Sequence, residues 1–183
     1  MVEGEIGGEL KGLLDKIQIG VNKLYHIATH DQKTGLYNHV FFKDVFALEL
    51  DKAKRGKKLS LIVVDIDHFK KVNDTYGHLT ADKILERVAR VLEKEVRKYD
   101  IVARFGGEEF FIMLPSASLN VAKRIAERVR KAVFNDGNLK KYKISISLGV
   151  AEYMARDNLD RISKRADKAL YRAKKGGRNK VCW

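Results

Sequence analysis

Two apolar runs, residues 101–105 and 109–114, meet at Gly106-Gly107-Glu108, and this junction constrains the fold more than any other feature. A double glycine between two β-prone runs reads as a hairpin, because glycine reaches positive φ without steric cost. One antiparallel strand pair is therefore expected. Leu59-Ser60-Leu61-Ile62-Val63-Val64 reads as a further short, buried strand. Residues 143–150 alternate as another, and 178–182 read as a closing edge strand. Helical spacing is expected over 39–54, over 80–97 (Ile84, Leu85, Val88, Val91, Leu92), over 118–134 (Val121, Ala122, Ile125, Val129, Val133) and over 158–175. Helices alternating with strands around a hairpin give an α+β class, one sheet covered by helices.

The start of the chain differs in character. Residues 1–9 carry three glycines and are expected to fray. From Leu10 an apolar seam runs through Leu14, Ile17, Val21, Leu24 and Ala28 in steps of four and three, as in a two-stranded coiled coil. Fewer than three heptads are marginal alone. The alternatives are packing on the chain's own domain or pairing with a second copy, and a dimerising stalk over residues 1–28 is the expectation. Thr29 to Asn38 is polar with a glycine, a turn that opens the main domain at 29–183.

Composition narrows the setting. No apolar run approaches the 18 residues of a membrane helix, and the start lacks the basic and apolar regions of a secretory signal. The single cysteine, Cys182, excludes an internal disulfide framework and a cysteine metal site. A reducing, cytoplasmic location is expected. The net charge of +13 is uneven: residues 1–119 hold 19 basic and 18 acidic side chains, residues 120–183 hold 18 and 6. Much of that final third reads as a solvated basic face, and part of it suits a polyanionic ligand that brings metal. A nucleic-acid module is not expected, because the last helix offers only Tyr171 as an aromatic among its basic residues.

Two acidic clusters carry the chemistry. Asp65-Ile66-Asp67 ends an apolar strand in carboxylates, which is costly unless the charge is paired or holds a cation. Alternate strand residues share a face, so Asp67 joins Asp65 only if the strand continues that far. Glu108-Glu109 follows the glycines, and adjacent carboxylates repel unless a cation relieves them. Magnesium takes one or two carboxylates plus phosphate oxygens and water. Asp65 with Glu108 and Glu109 supplies that set if the 59–65 strand lies beside the hairpin. The reaction itself is not named by spacing.

These residues resemble the GGDEF family of diguanylate cyclases. Gly106-Gly107-Glu108-Glu109-Phe110 resembles the GGEEF form of its signature, and the run from Asp65 to His78 resembles its second hallmark segment. Asp31 to Asn38 is similar to the family's opening turn, and Ala169 to Asn179 to its closing segment. Ala81 stands where the family often has glycine, and Asn38-His39-Val40 stands where a basic pair is common. The resemblance implies a ferredoxin-like, palm-type nucleotidyl cyclase fold with a mostly antiparallel sheet. It implies condensation of two GTP into cyclic di-GMP with release of pyrophosphate, using two magnesium or manganese ions per half-site.

By the same resemblance, Asp65, the Ile66 carbonyl, Glu108 and Glu109 hold metal, and a glutamate of the pair Glu108 and Glu109 helps deprotonate the attacking hydroxyl. Asn73 and Asp82 read guanine. His78 lies in the substrate stretch, Phe69 and Lys70 meet the phosphates, and Lys174 and Arg178 grip the triphosphate. Arg97 and Asp100 resemble the two ends of an inhibitory RxxD product site, which Arg128 completes across a homodimer. A non-catalytic domain that binds GTP or cyclic di-GMP as a receptor is the alternative, and loss of Asp65, Glu108 or Glu109 would favour it; all three are present.

Overall fold

The computed structural model describes the backbone from Val2 to Trp183 and side chains from Leu10 onward. The start expected to fray, residues 1–9, lies outside the described side chains, although helix α1 (Val2–Thr29) is continuous from Val2. The seam residues Leu10, Leu14, Ile17, Val21 and Leu24 are all more than half exposed, so α1 does not pack on its own domain. It joins the domain only at its end. The Asn38 side-chain amide donates to the Ala28 carbonyl, and the His26 and His30 rings stack 4.1 Å apart, with His30 against Tyr37.

The hairpin forms as β3 (Ile101–Gly106) and β4 (Glu109–Pro115). β4 pairs antiparallel with β2 (Leu59–Ile66), and the other edge of β2 pairs antiparallel with β5 (Ile146–Glu152). Two short strands close the edges in parallel: β1 (Tyr37–Asn38) beside β3, and β6 (Val181–Cys182) beside β5. The order is β1-β3-β4-β2-β5-β6. Every residue of β2 is buried, as a central strand covered on both faces requires.

The two faces of β2 feed two cores. Ile62, Val64 and Ile66 pack beneath α4 (His78–Lys94) and α5 (Leu119–Asn135), with Phe69 and Val72 of α3 (Phe69–Tyr76). Leu61 and Val63 pack beneath α2 (His39–Lys54) and α7 (Leu159–Lys175). Asn38 starts α2 by accepting from the Phe41 N–H, and Asn158 starts α7 by accepting from Arg161. Gly149 of β5 lets α7 cross closely: a Cβ there would lie 2.0 Å from the Ala166 carbonyl oxygen. The expected helix at 80–97 is instead α4, ending three residues earlier. The edge strand expected over 178–182 shrinks to Val181–Cys182, because Arg178 and Asn179 take positive φ. A four-residue turn of helix, α6 (Gly137–Lys140), has no counterpart in the expectation. Among the described residues no helix is long and apolar enough to cross a membrane.

Candidate active site

Asp65 continues the face of Leu61 and Val63 to the end of β2, where it stands opposite Glu109 on β4 and Ser147 on β5. Cross-strand neighbours have Cβ atoms about 5 Å apart, so two carboxylates share this rim. Lys174 reaches down from α7, its ammonium 2.7 Å from Asp65 Oδ2. Burial pushes the Asp65 carboxyl up, and the Lys174 charge only partly opposes it. Glu109 is likewise pushed up, first by burial and then by the Asp65 charge, with Asp167 and Glu108 adding to it. Asp167, one helical face with Lys174 at a spacing of seven, is raised by its own burial. The Lys174 charge thus acts on Asp65, Glu109 and Asp167 and the Arg178 charge on Asp65, so three carboxylates share two cations and the rim is under-neutralised.

That donor set suits a hard divalent cation. Among the described residues, no three acidic, histidine or cysteine side chains already converge as a closed metal cage. An ion completed by phosphate oxygens and water needs no such cage.

Asp67 does not join Asp65. β2 ends at Ile66, and the Asp67 carboxylate turns to accept from Ser145 Oγ at 2.7 Å, Ser147 Oγ at 2.6 Å and the Asn179 N–H at 3.0 Å. It thereby ties the turn after α7 to the sheet. Arg178 stands in that turn at φ +60°, near enough for its charge to act on Asp65.

The hairpin tip is held from two sides. The Ile66 N–H donates to the Glu108 carbonyl at 3.3 Å, which docks the turn on the end of β2. Gly107, at φ +46°, offers its carbonyl to Arg104, whose Nη2 lies 2.7 Å away. The same guanidinium reaches Asp31 at 3.1 Å, and Asp31 also accepts from the Thr34 N–H and hydroxyl. Burial works against this carboxylate, but those hydrogen bonds together hold it below the usual range. Arg104 and Asp31 went unassigned in the sequence because they lie 73 residues apart and meet only through the β1–β3 pairing.

Gly77, at φ +76°, ends α3 and separates it from α4. His78 Nδ1 then lies 3.1 Å from Asn73 Oδ1, while Asp82 follows one turn along α4. Lys33, from the opening turn, places its ammonium 2.6 Å from Asp82 Oδ1. Leu79, on the same exposed stretch, is 82% exposed, a bare apolar side chain beside these polar groups. Phe69 is buried in the core, so only its backbone is free for a ligand, whereas Lys70 is exposed.

A second cluster lies apart from the strand end. The Arg97 N–H donates to Asp100 Oδ2 at 2.8 Å, and the Asp100 N–H returns to the Arg97 carbonyl. The Arg97 guanidinium bonds the Tyr99 hydroxyl. Arg128, on α5, is held by Glu95 of the same chain at 3.2 Å, and its charge acts on Asp100. Burial dominates at Asp100 and raises its carboxyl. A cavity of about 320 Å³ opens here, lined by His30, Tyr37, Glu93, Arg97 and Asp100 among others.

Known proteins resemble this chain in sequence and fold. The family model described as diguanylate cyclase, GGDEF domain, matches residues 28–180. Diguanylate cyclase DgcP of Pseudomonas aeruginosa is 36% identical, over 98% of this chain and 29% of its own length. Diguanylate cyclase A of Treponema denticola is 40% identical, over 92% of this chain and 47% of its own. The chain thus spans less than half the length of these curated relatives. Among solved structures, the coiled coil and GGDEF domain of DgcB from Caulobacter crescentus, in complex with c-di-GMP, superposes with a TM-score of 0.85. It is 31% identical and covers 96% of this chain and 95% of that one.

Proposed function

The chain belongs to the GGDEF domain family, and from that membership we propose that it is a diguanylate cyclase, joining two GTP molecules into cyclic di-GMP and two pyrophosphates. The observation that carries this reading is the under-neutralised rim where Asp65 faces Glu109 at the end of a buried strand, with Lys174 as its counter-charge. Asp65, the Ile66 carbonyl, Glu108 and Glu109 are the donors for two magnesium or manganese ions. Such ions neutralise phosphate charge and lower the pKa of an oxygen bound to them.

The chain's own groups do the rest. Asn73 and Asp82 read the guanine edge, where a carboxylate accepts from the N1–H and N2–H that adenine lacks. His78 orients Asn73. Lys70, Lys174, Arg178 and the backbone at Phe69 take the triphosphate, Lys174 exchanging its Asp65 partner for phosphate. Glu108 or Glu109 accepts the proton of the attacking 3′-hydroxyl. Each chain binds one GTP, so two sites must face each other for in-line attack, a matter of positioning. The exposed seam of α1, as a dimerising stalk over residues 1–28, supplies that encounter by raising effective concentration. Arg97, Asp100 and Arg128 form the inhibitory site for the product. The reading carries a cytoplasmic setting with it, where GTP is available.

Incubation with GTP and magnesium, with the product identified by mass, tests the proposal. Cyclic di-GMP with two pyrophosphates per product supports it. GTP that binds without being consumed makes the chain a receptor instead.

A further inference from the structure

The opening turn does more than start the domain. Asp31 accepts from the Thr34 N–H and hydroxyl and from Arg104, and its own N–H donates to the Leu36 carbonyl. Gly35 donates to the Asp31 carbonyl. Arg104 fixes the same turn to Gly107 of the hairpin. Lys33 therefore leaves a turn tied at both ends, and its ammonium meets Asp82 from 49 residues away, at 2.6 Å. Both side chains remain partly open to solvent, 48% and 37% exposed, so a ligand can reach them.

Side by side, an ammonium donor and a carboxylate acceptor complement the edge of guanine, which presents the O6 acceptor next to the N1–H and N2–H donors. Adenine presents the opposite order, an amino donor beside a bare N1. With adenine the ammonium would meet a second donor and the carboxylate a bare N1 acceptor, and an unmet polar group costs more than the bond it replaces.

We propose that Lys33 is a specificity-determining residue, its ammonium donating to guanine O6 while remaining on the carboxylate of Asp82 that accepts from N1–H and N2–H. The assignment rests on the reading of this site as a GTP site. It adds a base contact from an element outside the strand end and the α3–α4 corner.

Equilibrium binding with nucleotides that lack the 3′-hydroxyl, and so cannot turn over, tests it on the full chain with magnesium. The set is 3′-deoxy-GTP, its 6-thio analogue (a poorer acceptor at position 6 with N1–H and N2–H intact) and 3′-deoxy-ITP (O6 kept, N2 amine removed). Wild type is expected to prefer 3′-deoxy-GTP over the 6-thio analogue by about tenfold, the worth of one charge-assisted hydrogen bond. In Lys33→Met that preference should fall to near unity. The penalty for removing the N2 amine should stay the same, and Lys33→Arg should restore part of the oxygen preference. An unchanged oxygen preference in Lys33→Met overturns the assignment, as does tighter GTP binding, which would make Lys33 a plug. Failure of wild type to bind 3′-deoxy-GTP at all would instead overturn the GTP site itself.

Discussion

Glu109→Gln removes one negative charge from the rim while keeping its shape, and its effect on stability should oppose its effect on function. Asp65 and Glu109 occupy opposing register positions on β2 and β4. Carboxylates about 6 Å apart repel by about 0.7 kcal/mol in water and about 2.8 kcal/mol at an effective dielectric of about 20. At an open rim, with Lys174 already sharing Asp65, about 1 kcal/mol is the relevant scale. In a chain of this size that corresponds to about 2–4 °C in Tm. Without metal, Glu109→Gln should therefore melt higher than wild type. Magnesium at about ten times its dissociation constant stabilises a binding-competent chain by about 1.4 kcal/mol, and this gain should shrink in the variant. Cyclase activity should fall at least about a hundredfold, as expected when a group acting on the transition state is removed. Thermal melts with and without magnesium, paired with product assays, read all three quantities. A variant that melts below wild type without metal, or gains as much from magnesium, would refute the charge argument.

Three further outcomes follow from other parts of the molecule. Gly149→Ala puts a Cβ 2.0 Å from a backbone carbonyl of α7 and should cost about 3 kcal/mol in urea unfolding, with activity falling because Lys174 and Asp167 ride on that helix; an unchanged midpoint would refute the close crossing. The Arg87 guanidinium, donating to both Asp136 oxygens through Nε and Nη2, holds that carboxyl below its usual value of 3.8. A lowered carboxyl stabilises the fold above pH 3.8 and loses that contribution as pH falls through the lowered value, so Arg87→Met should flatten the acid limb of stability; unfolding followed from above pH 3.8 down through the lowered value would contradict this if both chains lost stability equally. Arg97→Ala should raise product yield and abolish co-purifying cyclic di-GMP, and unchanged product inhibition would remove the RxxD site from the account.

The long elements were legible because their apolar spacing is dense. The periodicity of 118–134 read directly as α5, and the double glycine read as the β3–β4 turn. α3 was not legible. It has only Phe69 and Val72 to bury, and Gly77 ends it after two turns. The edge strands β1 and β6 are two residues each, too short for any period. At the site, Asp65 and Glu109 could be paired from the motif, because a strand end beside a hairpin tip leaves little choice of neighbours. Asp67 could not be assigned, since its partners Ser145, Ser147 and Asn179 lie 78 to 112 residues away. The Lys33–Asp82 and Arg104–Asp31 contacts were hidden for the same reason: each is made by the topology and not by local sequence.

On the proposed reading each chain carries half of an active site. Titrating wild type with a doubly inactivated chain, Asp65→Asn with Glu109→Gln, at constant wild-type concentration and after full exchange, tests it most directly. If two competent halves are required, wild-type chains are drawn into dead mixed dimers, and cyclic di-GMP formed per wild-type chain falls to about half at equal mixing. A rate that stays proportional to the number of wild-type chains, whatever the excess of inactive partner, would contradict the account.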